Sequence, residues 1–162
     1  MITEAQIWRI LQEVPDPEIP ILSVLDLGIV RHVQPSPQPN HWLITITPTY
    51  SGCPAMYAIE QNIGEVMQSH GVAYSIETVL SPPWTTEWLT PEGKKKLLAY
   101  GIAPPEAESP QKGVLFAEQK PITCPRCASQ TTKMISQFGS TACKALHQCL
   151  SCKEPFDYFK CF

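Results

Sequence analysis

The chain has 162 residues, room for one medium domain or for a small domain with an appended module. It is 43% hydrophobic and 17% charged with a net charge of −3, an ordinary globular composition, and no apolar run approaches a membrane span. Charge is uneven: residues 1–120 carry 7 Lys+Arg against 13 Asp+Glu, and residues 121–162 carry 5 against 2, too small a surplus for a nucleic-acid footprint.

In chain order, Thr3 and Gln6 read as a capping box, and Ile7, Ile10, Leu11 and Val14 keep helical spacing up to Pro15. Residues 1–6 have neither a basic nor an apolar region of the kind a signal peptide needs, so none is expected. The prolines of Asp16-Pro17-Glu18-Ile19-Pro20 end the helix and hold two carboxylates close together. Residues 23–33 read as a strand in which Gly28 marks a bulge or a close backbone approach. A proline-bearing loop over 34–40 leads to a second strand, Trp42 to Thr47.

A helix follows to about His70, with Gly71 as its C-cap, and Val72, Tyr74 and Ile76 alternate as a third strand. Trp84 and Trp88 lie in a proline–aromatic turn and read as core or docking aromatics. Thr90 and Pro91 open a short last helix that Gly101 closes. This order predicts an α+β domain over 1–102, helices on one face of a small mixed sheet. Residues 103–120 read as a linker in which Val114-Leu115-Phe116 can dock, and 121–162 as a second domain.

The turn between the second strand and its helix, Thr47-Pro48-Thr49-Tyr50-Ser51-Gly52-Cys53-Pro54, is where chemistry is expected. Gly52 permits a sharp turn and Pro54 suits a first helical turn, so Cys53 stands at a helix start, where unpaired N–H groups favour the thiolate. The opposite reading is a buried cysteine that packs the turn. Thr49 offers its hydroxyl to cap that turn.

The second domain carries Cys124-Pro125-Arg126-Cys127, 21 intervening residues, and Cys149-Leu150-Ser151-Cys152. Two such knuckles place four sulfurs around a tetrahedral zinc ion, and a segment this short needs the metal to fold. Thr131 to Phe138 and Phe156 to Phe162 supply the ribbon strands. Spacing alone leaves a rubredoxin-like iron site open. Cys143 and Cys161 are left over, either as packed or exposed thiols or as additional thiol ligands. Seven cysteines, an odd count with close pairs, point to metal binding in the reducing cytoplasm rather than to disulfides.

With these motifs in view, Asp16-Pro17-Glu18, Asp26-Leu27-Gly28-Ile29-Val30, Thr47-Pro48-Thr49 and Gly52-Cys53-Pro54 resemble the small domain of SufT-like and cytosolic iron–sulfur targeting proteins, over residues 1 to about 100. Joined to the tail from Phe138 to Phe156, the chain resembles the PaaD family of phenylacetate degradation. The resemblance implies an accessory protein of the multicomponent phenylacetyl-CoA epoxidase, a system with a di-iron oxygenase and a flavin and iron–sulfur reductase. It implies no oxidation by this chain itself. Its partners would be those components, with a homodimer compatible and no nucleic acid or membrane. Cys53 would receive or hand over iron or an iron–sulfur cluster, and zinc would be structural.

One thiol cannot hold a cluster. Further ligands would come from Asp16, Glu18, Asp26, a partner, or Cys53 of a second copy. The plainer alternative makes Asp16 a turn cap and leaves Glu18 solvated. Two other classes compete: a thiol enzyme, which lacks a locally arranged base, and a zinc-ribbon adaptor that only docks proteins.

Overall fold

The computed structural model describes residues 2–106 and 121–160. Backbone contacts divide the chain into two compact units, Met1–Gly93 and Lys94–Phe162.

The first unit opens with helix α1 (Glu4–Leu11). Thr3 and Gln6 form the capping box foreseen for it, each side chain meeting the other's backbone N–H, and Ile7, Ile10 and Leu11 are its buried stripe. Strands β1 (Val30–Pro35) and β2 (His41–Ile46) form an antiparallel hairpin. Helix α2 (Ala55–Ser69) then crosses to β3 (Ala73–Thr78), which pairs parallel to β2. The sheet order is β1-β2-β3, a mixed sheet. Ile44 and Ile46 of β2 are buried with Ile59, Ile63 and Met67 of α2 in an aliphatic core. The α+β class read from the sequence is the fold observed.

The strand expected over 23–33 begins only at Val30. Residues 24–28 are turns instead, because Ser23 and Asp26 satisfy each other's backbone. The Ser23 N–H donates to Asp26 Oδ2 at 2.9 Å and the Asp26 N–H to Ser23 Oγ at 3.1 Å, local bonds that compete with a ladder. Gly28 closes this turn with φ +67°, and a Cβ there would lie 2.3 Å from the Trp88 carbonyl oxygen. Of the two expectations for Gly28, close backbone approach is the one met. The bulge falls in β1, between Val30 and His32.

The proline segment after α1 is more ordered than a breaker requires. Its base is closed by a bridge between Pro15 and Ser23 and by the Asp16 N–H donating to the Leu22 carbonyl at 2.8 Å.

Helix α3 (Pro91–Ala99) starts where Thr90 Oγ1 accepts from the Gly93 N–H at 3.0 Å. The division between the two units falls within this helix.

The second unit is a four-stranded sheet of order β4-β7-β6-β5, from β4 (Ile102–Ala103), β5 (Thr132–Ser136), β6 (Lys144–Cys149) and β7 (Pro155–Phe159). The ribbon strands expected from the sequence correspond to β5 and β7, and β6 is additional to them. The prolines suggest a linker from residue 103, yet Ile102 and Ala103 pair with Asp157 and Tyr158 of β7. Val114-Leu115-Phe116 and Cys161 lie outside the described residues. Among the described residues no helix is long and apolar enough to cross a membrane.

Candidate functional site

Two centres result, one in each unit. In the first, β2 delivers the chain into the turn Tyr50-Ser51-Gly52-Cys53, closed by the Cys53 N–H donating to the Tyr50 carbonyl at 3.2 Å. Gly52 has φ +79°, the left-handed conformation that a type II turn requires at its third residue. Pro54 is the N-cap residue of α2 rather than its first helical residue, and no side chain caps this helix. Thr49 is half-buried in the bend that precedes this turn.

Cys53 is buried, and burial pushes its thiol above the ordinary cysteine range. The Ala55 N–H and the Tyr50 phenol hydrogen-bond the sulfur and pull the other way, while the Glu18 and Asp16 carboxylates add to the rise. The expectation of a helix start favouring the thiolate is therefore corrected: the amide at the helix start is present, and desolvation outweighs it. Tyr50 was not foreseen as a partner of the thiol, since nothing in its spacing sets it apart from any other turn aromatic.

The same interactions place Glu18 and Asp16 within electrostatic reach of Cys53. Asp16 is also a turn cap: its Oδ2 accepts from the Glu18 N–H at 3.0 Å and the Ile19 N–H at 2.6 Å. Asp26 is buried, with its carboxylate on the Ser23 N–H and its own carbonyl accepting from the Thr90 N–H at 2.9 Å. It is not among the groups that shift Cys53.

In the second unit Cys124, Cys127, Cys149 and Cys152 converge, with every sulfur within 4.8 Å of the others. The Cys124–Cys152 and Cys127–Cys149 sulfurs are 3.9 and 3.5 Å apart. A tetrahedron with zinc–sulfur bonds of roughly 2.3 Å has edges of roughly 3.8 Å, so this donor set fits zinc. Backbone amides support it: the Arg126 N–H points at Cys124 Sγ (3.4 Å) and the Cys152 N–H at Cys149 Sγ (3.5 Å). Each knuckle ends on a left-handed residue that is not glycine, Ala128 at φ 60° and Lys153 at φ 65°.

Without a cation the four thiols compete for protons. The Cys152 N–H lowers Cys149 to about 6. Cys152, although the Glu154 amide acts to lower it, is raised to about 11 by burial and its neighbouring thiols. A divalent cation lets all four ionise together, and what it supplies is folding energy. The need is plain from the unit's small buried cluster, in which Cys124 and Cys149 themselves join Ala103 and Phe156.

Cys143 stands apart from the four converging sulfurs. It is buried beside Thr141 Oγ1 at 3.1 Å, outside the four-sulfur group. His147, two residues before Cys149, stacks on Phe156 and meets Tyr158 edge-on, outside the four-sulfur group.

Comparison with known proteins agrees with both units. Residues 4–73 match the family model "Iron-sulfur cluster assembly protein" and residues 108–160 match "PaaD zinc beta ribbon domain". The chain is 49% identical over 158 residues to a subunit of the "Putative 1,2-phenylacetyl-CoA epoxidase" of Escherichia coli (strain K12), covering 96% of this chain and 92% of that one. It is 32% identical over 97 residues to "Fe-S protein maturation auxiliary factor" of Porphyromonas gingivalis, covering 59% of this chain and 90% of that protein. A crystal structure of a domain of unknown function (DUF59) from Bacillus anthracis superposes with a TM-score of 0.53 at 28% identity, over 58% of this chain and 90% of that one. An iron–sulfur-assembly domain followed by a four-cysteine ribbon, with near-complete coverage of the Escherichia coli relative, makes the chain a member of the PaaD family of phenylacetyl-CoA epoxidase subunits.

Proposed function

We propose that the chain is an accessory protein of a phenylacetyl-CoA epoxidase and assists iron or iron–sulfur maturation of its di-iron oxygenase or its reductase. The second unit docks on the client, and the first handles the cargo through Cys53. One observation carries the reading: a buried thiol at the mouth of α2 feels the two carboxylates Glu18 and Asp16. The sulfur is a ligand suited to iron–sulfur cargo, and because Glu18 and Asp16 do not converge with it into a ligand group, the remaining ligands come with the cargo or from the client.

The chemistry of the Cys53 thiol follows from its electrostatics. Burial keeps the Cys53 sulfur protonated near neutral pH. An arriving cation displaces that proton, a sulfur–metal bond replaces the S–H bond, and the proton leaves to solvent. The Ala55 N–H and the Tyr50 phenol then stabilise the sulfur's negative charge. Because ionisation must be driven by the metal, binding is weaker than at a preformed thiolate. That suits a site that releases its cargo.

The name of the Escherichia coli relative favours a second reading, that of a standing subunit of the working complex. One experiment separates the two. The oxygenase and reductase are produced with and without this protein, purified away from it, and assayed for iron and activity. A maturation factor is needed during synthesis and not during assay. Components fully metallated without it, which need it added back for turnover, overturn the maturation reading. Cys53→Ala is expected to keep zinc and fold while lowering client iron; normal client iron would sink the transfer role.

A further inference from the structure

Strand β5 lies at the outer end of its sheet, and among the described residues β6 alone pairs with it. Its side chains are open on both faces. Met134 and Ile135 are 42% and 52% exposed, and the neighbouring Phe138 and Leu150 are 54% and 38% exposed. Leu150 lies across the paired side of β5, its N–H donating to the Thr131 carbonyl at 2.8 Å just ahead of the strand. Within β5 the exposed apolar side chains are Met134 and Ile135, with Phe138 two residues beyond the strand. Natural proteins usually blunt such an edge with charge, proline or cover. Here Lys133 and a bulge between Met134 and Ser136 are the protections in the strand.

The charge around the edge selects the occupant. Residues 121–162 carry 5 Lys+Arg against 2 Asp+Glu, and one of those acids, Asp157, already lies 3.8 Å from Lys144. Lys133 projects from β5 itself, and Lys160 sits over the Phe138 ring at 4.3 Å. A nucleic acid needs a row of cations, whereas β5 offers one lysine among apolar side chains.

We infer that the outer edge of β5 is a docking edge for an extended segment of a partner protein, added as a further strand, with an acidic side chain against Lys133 and apolar side chains against Met134 and Ile135. Successive side chains of β5 point to opposite faces, so the partner meets Lys133 on one face and Met134 on the other. The inference deepens the reading of the second unit as the client-docking part and rests on it.

The test uses the full chain with zinc bound and the purified oxygenase and reductase components. Affinity is measured by calorimetry and contact by hydrogen exchange. The wild type is expected to bind one component with new protection of the amides of residues 132–136. Lys133→Glu and Ile135→Lys are each expected to weaken that binding roughly tenfold or more while zinc stoichiometry is unchanged. If Ile135→Lys loses zinc, Met134→Ser takes its place. The inference is overturned by wild-type affinity in these variants, by protection elsewhere, by no binding to either component, or by changes confined to self-association or to an oligonucleotide probe. Cys53→Ala is expected to bind normally here. Its effect on client iron therefore tests the transfer role separately from the docking edge.

Discussion

The indole N–H of Trp84 donates to the main-chain carbonyl of Leu27 at 2.7 Å, across 57 positions of sequence. Trp84 is buried, so this bond holds the proline–aromatic segment onto the turn that ends at Gly28. Trp84→Phe should leave the Leu27 carbonyl without this donor and lower unfolding stability by about 1–3 kcal/mol. Urea titration of the full chain, followed by a signal from the first unit, reads this directly. An unchanged midpoint would mean the bond contributes nothing.

Cys53 gives the pH prediction. Its folded thiol titrates above an exposed cysteine, chiefly because it is desolvated. Alkylation by iodoacetamide should therefore reach half its maximal rate at a higher pH than for a free thiol. Glu18→Gln removes a negative neighbour and should move that midpoint down. The linkage has the matching sign. Above the unfolded thiol's pKa, about 8.5, the unfolded chain binds fewer protons than the folded one, so stability falls as pH rises toward the folded value. Cys53→Ala should flatten this alkaline slope.

Metal removal should act on the second unit. One zinc ion per chain is expected, bound by Cys124, Cys127, Cys149 and Cys152. Chelation, or Cys149→Ser, should unfold the ribbon and open residues 121–160 to protease, because its buried cluster includes the ligands themselves. Mass spectrometry of the first cleavage products locates the cuts.

Ala128 and Lys153 end their knuckles in the left-handed region, which costs about 1–2 kcal/mol for a residue with a Cβ. Ala128→Gly or Lys153→Gly should raise the ribbon's thermal midpoint or slow zinc loss to a competing chelator. Together they should add, since each belongs to a different knuckle.

What the sequence disclosed followed from signals of short range. The Thr3–Gln6 box, the stripe of α1, the alternation in β3 and both Cys-x-x-Cys pairs are local patterns, and each leads to its observed element. The misreadings come where a side chain competes with the backbone or where the solvent is lost. Ser23 and Asp26 turn an apparently strand-like run into turns through two mutual bonds. Cys53 has the helix-start amide its position promised, yet its thiol is raised because the fold buries it, and burial is a property of distant packing. Strand β6 was hidden because its residues, from Lys144 to Cys149, mix charged, imidazole and small side chains.

The parallel pairing of β2 with β3 also sets an order of events. The β1–β2 hairpin joins Pro35 to Trp42 through a short loop, whereas β2 and β3 pair His41 with Ala73 only after the whole of α2 has been laid down. Closing the longer loop costs more chain entropy and comes later in folding. Cys53 lies inside that longer loop, between β2 and α2. A chain interrupted before Ala73 therefore presents this cysteine on a segment that the β2–β3 pairing has not yet closed.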